Sequence, residues 1–226
     1  LLIGGTDEIS MLVPAGLWTK SWLATKIQGT PKTIATAKLA INVSLSLRVA
    51  WANEIDSVCR KLGVSSDTVL NVVQSDPRIG RGYMFQGWPP SGPCLPRDLD
   101  TWSMLGSAYI ADEVWATNTA VRKDIVSKTI DAIASAESIP RVAVLGAMYN
   151  PNAMDITHSK GIAIARACMV RGWATVVYDP ALSLFDIKIP QADEMATALA
   201  MANVVVIATD WPEFNIDYGN RKVIRV

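Results

Sequence analysis

The chain has 226 residues, half of them hydrophobic, and its 21 basic and 21 acidic residues give a formal net charge of zero. This length and apolar content allow a large core in one domain or two. The balanced charge argues against a nucleic-acid partner or a charged membrane surface, and no apolar run reaches the roughly 18–20 residues of a spanning helix. The N-terminal residues lack the pattern of a signal peptide. Three widely spaced cysteines fit a reducing compartment better than a disulfide framework, so we expect a cytoplasmic protein.

The first part of the chain is predicted to be mainly helical. Its opening residues, LLIGG, are typical of the end of a buried strand, and this abrupt start suggests that a further domain precedes them. Apolar residues at three- and four-residue spacing predict a long helix from Pro31 to Leu62, followed by Gly63. A second helix is predicted in SSDTVLNVVQ, with Ser66 or Asp67 as its N-cap. The expected buried face of the long helix carries Ile41, Leu45, Val49, Ala52 and Ile55.

Helices are expected to continue to Ser138 on both sides of a loop rich in Gly and Pro at residues 76–97. From Pro140 onwards, short apolar runs alternate with helical patterns. Strands are predicted in RVAVLG, ATVVYDP, NVVVIAT and KVIRV, and helices in SKGIAIARACMVRG and QADEMATALAMA. This alternation is typical of βαβ units in a parallel sheet.

The predicted fold class is therefore α/β, with a mainly helical domain followed by a small Rossmann-like parallel-sheet domain. The helical domain is assigned to residues 31–138 and the Rossmann-like domain to residues 139–226. Residues 1–30 are assigned to the end of a missing domain and a connector.

The Rossmann-like part does not carry the pattern of a dinucleotide site. Gly146 follows the first strand and Asp179 ends the second, where an acidic residue could bind a ribose. However, the residues GAMYNPNAMD contain one glycine and a proline instead of the G-x-G-x-x-G fingerprint. We therefore expect no NAD site here and interpret Asp179 as a structural residue at a strand end.

Cys94 lies in the proline-flanked stretch SGPCLPRD, residues 91–98. Residue type alone leaves two interpretations open, a nucleophile or a small buried hydrophobe, and the second is expected for Cys59 and Cys168. Lys38 and Asn42 are one helical turn apart and therefore share a face, although a lysine on a helix is usually a solvated charge. His158 is the single histidine, so we expect neither a histidine relay nor a metal site.

Several segments, in this order, resemble the UDP-glucose/GDP-mannose dehydrogenase family: AKLAINVSLSLRVAWANE, DPRIG, CLPRD, RVAVLG and TDWPEF. The resemblance covers nearly the whole chain and implies a central dimerisation domain and a C-terminal nucleotide-sugar-binding domain. It also implies that the NAD-binding domain of the family lies outside this chain, so that NAD would not bind to this part alone. The implied activity is NAD-dependent oxidation of a nucleotide sugar to the uronic acid. A homodimer through the long helix is the implied assembly.

The resemblance assigns catalytic roles to four residues. Cys94 matches the catalytic cysteine and Asp98 the aspartate of the same pattern, while Lys38 and Asn42 match a K-x-x-x-N motif. A thiolate can hold the sugar as a thiohemiacetal and then as a thioester. A nearby ammonium favours the thiolate and stabilises developing negative charge. A carboxylate can position the hydrolytic water or accept its proton.

Four further residues are implied to bind substrate. Arg78 matches an arginine that reaches the partner subunit's nucleotide sugar, and Tyr83 matches a position in the substrate-binding loop. Without the resemblance, Arg78 would be interpreted as an ordinary surface arginine at a turn. Gly87 and Gly92 remain from a glycine-rich loop, although three prolines in GWPPSGPC remove backbone donors from it.

The segment after Gly146 departs from the family pattern. Asn150 stands in place of a lysine, Ala153 of a threonine, Met154 of an aspartate and Thr157 of an arginine, while Asp155 is retained. The loss of two cations implies weaker binding of a nucleotide sugar. Two alternatives therefore remain open: a non-catalytic dimerisation and nucleotide-sugar-binding module, or a Rossmann-like domain that binds another small molecule.

Overall fold

The structure is a computed structural model that describes residues 2–4, 27–106, 109–151, 153–181 and 187–226. The helices are α1 Pro31–Leu62, α2 Ser66–Ser75, α3 Leu95–Met104, α4 Tyr109–Ala136, α5 Lys160–Val170 and α6 Met195–Ala200. The strands are β1 Leu2–Gly4, β2 Ile27–Gly29, β3 Arg141–Leu145, β4 Ala174–Tyr178, β5 Val204–Ile207 and β6 Lys222–Arg225. A short 3-10 helix covers Pro212–Phe214.

The predicted opening strand is present as β1, which pairs with β2 in a parallel two-stranded sheet. Most of the connector that the sequence assigned to residues 1–30 lies outside the described residues.

The long helix α1 has the predicted bounds because strong signals stand at both ends. The hydroxyl of Thr30 accepts a hydrogen bond from the main-chain N–H of Thr33 at 3.2 Å, and Pro31 follows the cap. At the other end Gly63 adopts the left-handed conformation at φ 68°, which a glycine takes without steric cost. With 32 residues, α1 is about 48 Å long.

The buried face of α1 differs in part from the prediction. Val49, Ala52 and Ile55 are buried as expected, but Ile41 is 48% exposed. Inside the helix the buried stripe instead begins with Val43, which packs with Leu99 of α3 and Val114 of α4. Ile41 lies off this stripe because two residues advance a helix by roughly 200° around its axis.

The next two helices begin at identifiable caps. The N-cap of α2 is Ser65, which precedes both predicted caps, Ser66 and Asp67. Its hydroxyl accepts the Thr68 N–H at 3.3 Å. The N-cap of α3 is Cys94, with a proline in the first turn that follows. The chain therefore places the cysteine at the end of a loop and at the entrance to a helix.

The last part of the chain forms a four-stranded parallel sheet in the order β4-β3-β5-β6. One face of the sheet packs against α5 and the C-terminal half of α4, where Ile130 and Ile133 join the core. Ala198 of α6 packs against Ala143 and Val176 in a smaller cluster on the sheet. Helix α6 is shorter than predicted because Gln191 forms a parallel bridge with Val177 of β4, and Ala192 N–H donates to the Val177 carbonyl at 3.0 Å. The α/β fold class is confirmed.

Among the described residues, no helix combines the length and the apolar character that crossing a membrane requires.

Candidate active site

The strand order creates a switch point at the carboxyl ends of β3 and β5. The connections from these neighbouring strands lead to opposite sides of the sheet, and such a crevice is the usual ligand site of an open α/β sheet. Gly146 follows β3 at φ 102°, and a Cβ there would stand 2.5 Å from the Cβ of Thr209. A Cβ on Gly161 would come within 1.8 Å of the Gly146 carbonyl oxygen. Both glycines therefore let α5 and the loops after β3 and β5 pack closely around the crevice.

Asp179 fixes the loop after β3 from the neighbouring strand. One carboxylate oxygen accepts the N–H groups of Ala147 at 2.8 Å and Met148 at 3.0 Å, together with the indole N–H of Trp211 at 3.1 Å. The other oxygen accepts the N–H of Ala181 at 3.0 Å. The carboxylate is buried and engaged by four donors. This arrangement supports the structural interpretation of Asp179 over a ribose-binding role.

Cys94 is exposed, whereas Cys59 and Cys168 are buried. Burial raises the pKa of the Cys168 thiol to about 12, which keeps that sulfur protonated at neutral pH. Cys94 instead stands at the N-terminus of α3, where the partial positive charge of the helix favours a negative group. Of the three thiols, Cys94 therefore has the surroundings that a nucleophile requires.

Lys38 and Asn42 lie on one face of α1, and both contact Asp98 of α3. One oxygen of Asp98 accepts hydrogen bonds from Lys38 Nζ and from Asn42 Nδ2, the latter at 2.6 Å. The other oxygen accepts from the guanidinium of Arg97 at 3.1 and 3.2 Å. The main-chain N–H of Asp98 donates to the Cys94 carbonyl at 3.0 Å, so this network lies one helical turn from the cysteine.

The surroundings of Asp98 keep it ionised. Burial of its carboxylate raises the pKa, but hydrogen bonds from Lys38, Asn42 and Arg97, with the charge of Lys38, outweigh burial and hold the pKa below its ordinary value. The Asp98 side chain is 3% exposed and that of Lys38 is 48% exposed. The site thus combines a fixed carboxylate with an ammonium that solvent or a ligand can reach.

The two predicted loop glycines already use their amides inside the protein. Gly87 N–H donates to the Asn53 side-chain oxygen at 2.7 Å, and Gly92 N–H donates to the Thr157 carbonyl at 2.8 Å. The Ser91 hydroxyl also donates to the His158 carbonyl at 2.8 Å. These amides hold the Cys94 loop in place, so any contact of this loop with a sugar has to come from other groups.

Arg78 and Tyr83 lie in a neighbouring loop. The guanidinium of Arg78 forms two hydrogen bonds with Asp76 at 3.0 and 2.6 Å and remains 88% exposed. Its pKa is raised by Asp76. Arg48, which the sequence analysis did not single out, donates to the carbonyls of Gly82, Ile79 and Gly80 at 2.8–3.0 Å and so shapes the loop. No contact among the described residues brings Arg78 to Cys94.

A cavity of about 260 Å³ joins the Cys94 loop to the switch point of the sheet. Its wall includes Leu95, the residue after Cys94, and Thr209, which follows β5. Tyr83 also lines this cavity, and its backbone is in the left-handed region at φ 54°. Burial and the nearby Tyr149 raise the pKa of the Tyr83 hydroxyl. The lining residues are Tyr83, Phe85, Trp88, Pro89, Pro90, Ser91, Leu95, Met148, Tyr149, Asn150, Lys160, Ala208 and Thr209.

Of the four positions after Gly146 that depart from the family pattern, one lines this cavity. Asn150 lines the cavity and is exposed, whereas Met154 is 60% exposed outside it. The retained Asp155 accepts the Thr157 N–H at 2.7 Å, and Thr157 contacts the Cys94 loop only through its carbonyl. Lys160 was missed by the sequence analysis because a lysine after a serine at a helix start usually faces solvent.

No group of histidine, cysteine, aspartate and glutamate side chains suited to a metal ion occurs among the residues that the structure describes. Larger cavities of about 280, 510, 640 and 730 Å³ lie elsewhere. Like the cavity beside Cys94, none of them is lined by Cys94, Lys38, Asn42 or Asp98 themselves.

Comparison with known families gives two adjacent matches. The central domain of the UDP-glucose/GDP-mannose dehydrogenase family matches residues 32–121, and the UDP binding domain of the same family matches residues 143–223.

Individual relatives agree with these matches. The UDP-glucose 6-dehydrogenase of Haloferax volcanii is 31% identical over 186 residues, which cover 78% of this chain and 43% of that protein. The enzyme of the same name from Rhizobium meliloti is 28% identical over 206 residues, 85% of this chain and 46% of its own length. The chain thus spans less than half the length of these curated relatives.

Solved structures share the fold across nearly the whole chain. A UDP-glucose dehydrogenase from Pyrobaculum islandicum matches with a TM-score of 0.80 and 29% identity, over 99% of this chain and 54% of that one. A UDP-D-ManNAc dehydrogenase from Pyrococcus horikoshii matches with a TM-score of 0.76 over 99% and 55%. At 20% identity the second likeness concerns the fold alone. From the two family matches, which together take up most of its length, the chain belongs to the UDP-glucose/GDP-mannose dehydrogenase family.

Proposed function

We propose that the protein to which this chain belongs oxidises a nucleotide sugar to the uronic acid with NAD, and that Cys94 carries the sugar between the two oxidations. The observation that carries the proposal is the Lys38–Asn42–Asp98 network, which stands one helical turn from an exposed cysteine. The cavity beside this cysteine opens at the switch point of the sheet, where a ligand is expected.

We infer that the described residues do not hold the NAD. The loop after β3 lacks the glycine fingerprint, and the Asp179 carboxylate that could bind a ribose is engaged by four donors. The cofactor, which removes the two hydrides from the sugar, is therefore assigned to a domain outside this chain. The steps below concern only what this chain's own residues do.

Cys94 Sγ forms a bond to the carbon of the sugar aldehyde, and the carbonyl oxygen takes a proton to give a thiohemiacetal. After the second oxidation the same carbon is held as a thioester. Water then adds to it, the carbon–sulfur bond breaks, and the products are the carboxylic acid and the free thiol.

Lys38 and Asn42 stabilise the oxygen that becomes negative during each addition. Lys38 suits this role because its ammonium keeps N–H groups free beyond the one that Asp98 accepts. Asp98, held ionised by these partners, positions the hydrolytic water and accepts its proton. Arg78 is proposed to act in a homodimer, where the partner subunit's site would supply the anion that it binds.

The activity is tested in a protein that joins this chain to an NAD-binding domain. We expect Cys94→Ser to abolish formation of the uronic acid, because a hydroxyl gives up its proton far less readily than a thiol. The buried Cys59→Ala serves as the matched control and should retain turnover. Ordinary acid production by Cys94→Ser would remove the cysteine from the mechanism.

A second test uses the chain itself. Iodoacetamide should alkylate Cys94 before the two buried cysteines, and UDP-glucose should slow this reaction. Protection without turnover in the joined protein would support the alternative, a non-catalytic module that binds a nucleotide sugar. The engaged amides of Gly87 and Gly92 and the Asn150 substitution are the features that favour this alternative.

A further inference from the structure

Lys160 is the single charged side chain among the residues that line the cavity beside Cys94. It is the first residue of α5, directly after the N-cap Ser159, whose hydroxyl accepts the Ile162 N–H at 3.3 Å. The close packing of Gly161 against the Gly146 carbonyl fixes this end of α5 against the loop after β3. The position of Lys160 is therefore set by the main chain on both sides of the crevice.

The ammonium of Lys160 has few partners within the protein. Its Nζ donates one hydrogen bond, to the main-chain oxygen of Val226, and an ammonium has three N–H groups. No aspartate or glutamate of the described residues forms an ion pair with it, and Asp210 acts on it only from a greater distance. Two donors thus remain for a ligand in the cavity.

Burial makes the lone charge of Lys160 costly. It lowers the pKa of the ammonium, and the charge of Asp210 offsets this effect only in part. A partly buried charged side chain gains stability when an anion enters a cavity whose lining carries no negative charge. The N-terminus of an 11-residue helix at the same place adds to the attraction.

We propose that Lys160 binds the diphosphate of the nucleotide sugar at the switch point of the sheet. This inference rests on the proposed function, and it assigns the anionic part of the substrate to the C-terminal part of the chain. The sugar then extends from the diphosphate towards Leu95 and Cys94, across the same cavity.

Calorimetric titration of the chain with UDP and with uridine tests this assignment, because the two ligands share a base and differ in the diphosphate. We expect Lys160→Met to weaken UDP binding by about ten- to a hundredfold, with uridine binding unchanged. Lys160→Arg should keep most of the affinity for UDP. Lys222→Met, at an exposed lysine on β6, is the matched control and should bind UDP as the unsubstituted chain does.

The outcomes separate the inference from the proposed function. If the unsubstituted chain binds UDP more tightly than uridine and Lys160→Met keeps that preference, Lys160 is not the phosphate residue and the nucleotide site stands. If the unsubstituted chain binds neither ligand, the nucleotide site fails and this assignment fails with it. Equal weakening of UDP and uridine by Lys160→Met, with a lowered melting temperature, would show a structural role and overturn the assignment.

Discussion

At the scale of single residues, the Asp98 carboxylate determines how Lys38 and Asn42 are held. Both donors bond to one oxygen, and the other oxygen is held by Arg97. Since the pKa of Asp98 is lowered in the folded protein, its ionised form stabilises the fold. This contribution is complete above the ordinary aspartate pKa near 3.9 and is lost as the pH falls through the lower pKa of the folded state.

We therefore expect Asp98→Asn to reduce the free energy of unfolding by about 1–3 kcal/mol at neutral pH. The loss should shrink as the pH falls below about 3.9, because the carboxyl of the unfolded wild-type chain is protonated there. It should be smallest below the lower pKa of the folded state, where the folded carboxyl is neutral as well. Urea unfolding at a series of pH values measures both effects. Asp217→Asn, at an exposed aspartate of the Rossmann-like part, is the control. A loss that stays constant with pH would contradict the assigned charge of Asp98.

The sequence alone predicts only part of this network. The spacing of Lys38 and Asn42 fixes their shared face because both lie on one helix. Their contact with Asp98 joins positions that are 60 and 56 residues apart, and it depends on the packing of α3 against α1. Lys160 carried no such local signal, since its importance arises from a cavity whose other wall belongs to the Cys94 loop.

At the scale of elements, apolar runs and caps predicted the parallel sheet and the bounds of α1. Strands β3 and β5 are buried along nearly their whole length, and their continuous apolar runs are typical of parallel strands covered on both faces. The buried stripe of α1 was harder to predict, because apolar residues occupy several of its faces. Ile41 was placed inside, yet the structure leaves it half exposed.

The exposed side of α1 carries apolar residues that fit the proposed homodimer. Leu47 and Trp51 are one turn apart, 40% and 48% exposed, and they line a cleft with Tyr109 and Ile110 of α4. A contiguous apolar patch of this kind marks an interaction surface, and a long helix that packs on its twin would bury it around a two-fold axis.

We expect Trp51→Glu to weaken this dimer by at least about 30-fold, as the loss of a central aromatic at an interface does. Sedimentation equilibrium over a range of concentrations measures the change. Val72→Glu is the matched control, because this residue is 66% exposed on α2, away from the cleft. A purely monomeric wild-type chain at micromolar concentration would contradict both the dimer and the proposed action of Arg78.

At the scale of the whole molecule, the site forms where the helical part meets the Rossmann-like part. The Cys94 loop is joined to the segment before α5 through Ser91, Gly92 and Trp88, which donate to the carbonyls of Thr157 and His158. The guanidinium of Arg122 in α4 also donates to this loop, at the Pro90 carbonyl, at 2.6 Å. Neither part contains the cavity alone, so its shape depends on how the two parts are joined.

Gly92→Ala tests this dependence. The glycine has φ 79°, and a Cβ there would stand 2.7 Å from the Tyr149 ring, so the loop or the ring must move. We expect UDP-glucose to bind roughly tenfold more weakly, because Tyr149 lines the cavity. Gly87→Ala has a similar backbone strain at φ 116° but meets nothing within 4 Å, which makes it the control. Equal affinities for the two variants would show that the joint tolerates displacement.

The substitution at Asn150 connects the departures in sequence with the charge of the cavity. Asn150 and Lys160 line the same space, one in the loop after β3 and the other at the start of α5. If Lys160 supplies the positive charge that binds the diphosphate, a lysine at position 150 should add positive charge to the same cavity. We expect Asn150→Lys to tighten UDP-glucose binding in a chain that keeps Lys160. The gain should be larger in a Lys160→Met background, because two ammonium groups in one cavity repel each other.

Calorimetry on the unsubstituted chain, the two single variants and the double variant measures the coupling between positions 150 and 160. No gain in either background would show that a side chain at position 150 does not reach the phosphates, and the loss of the family lysine would then have no bearing on affinity.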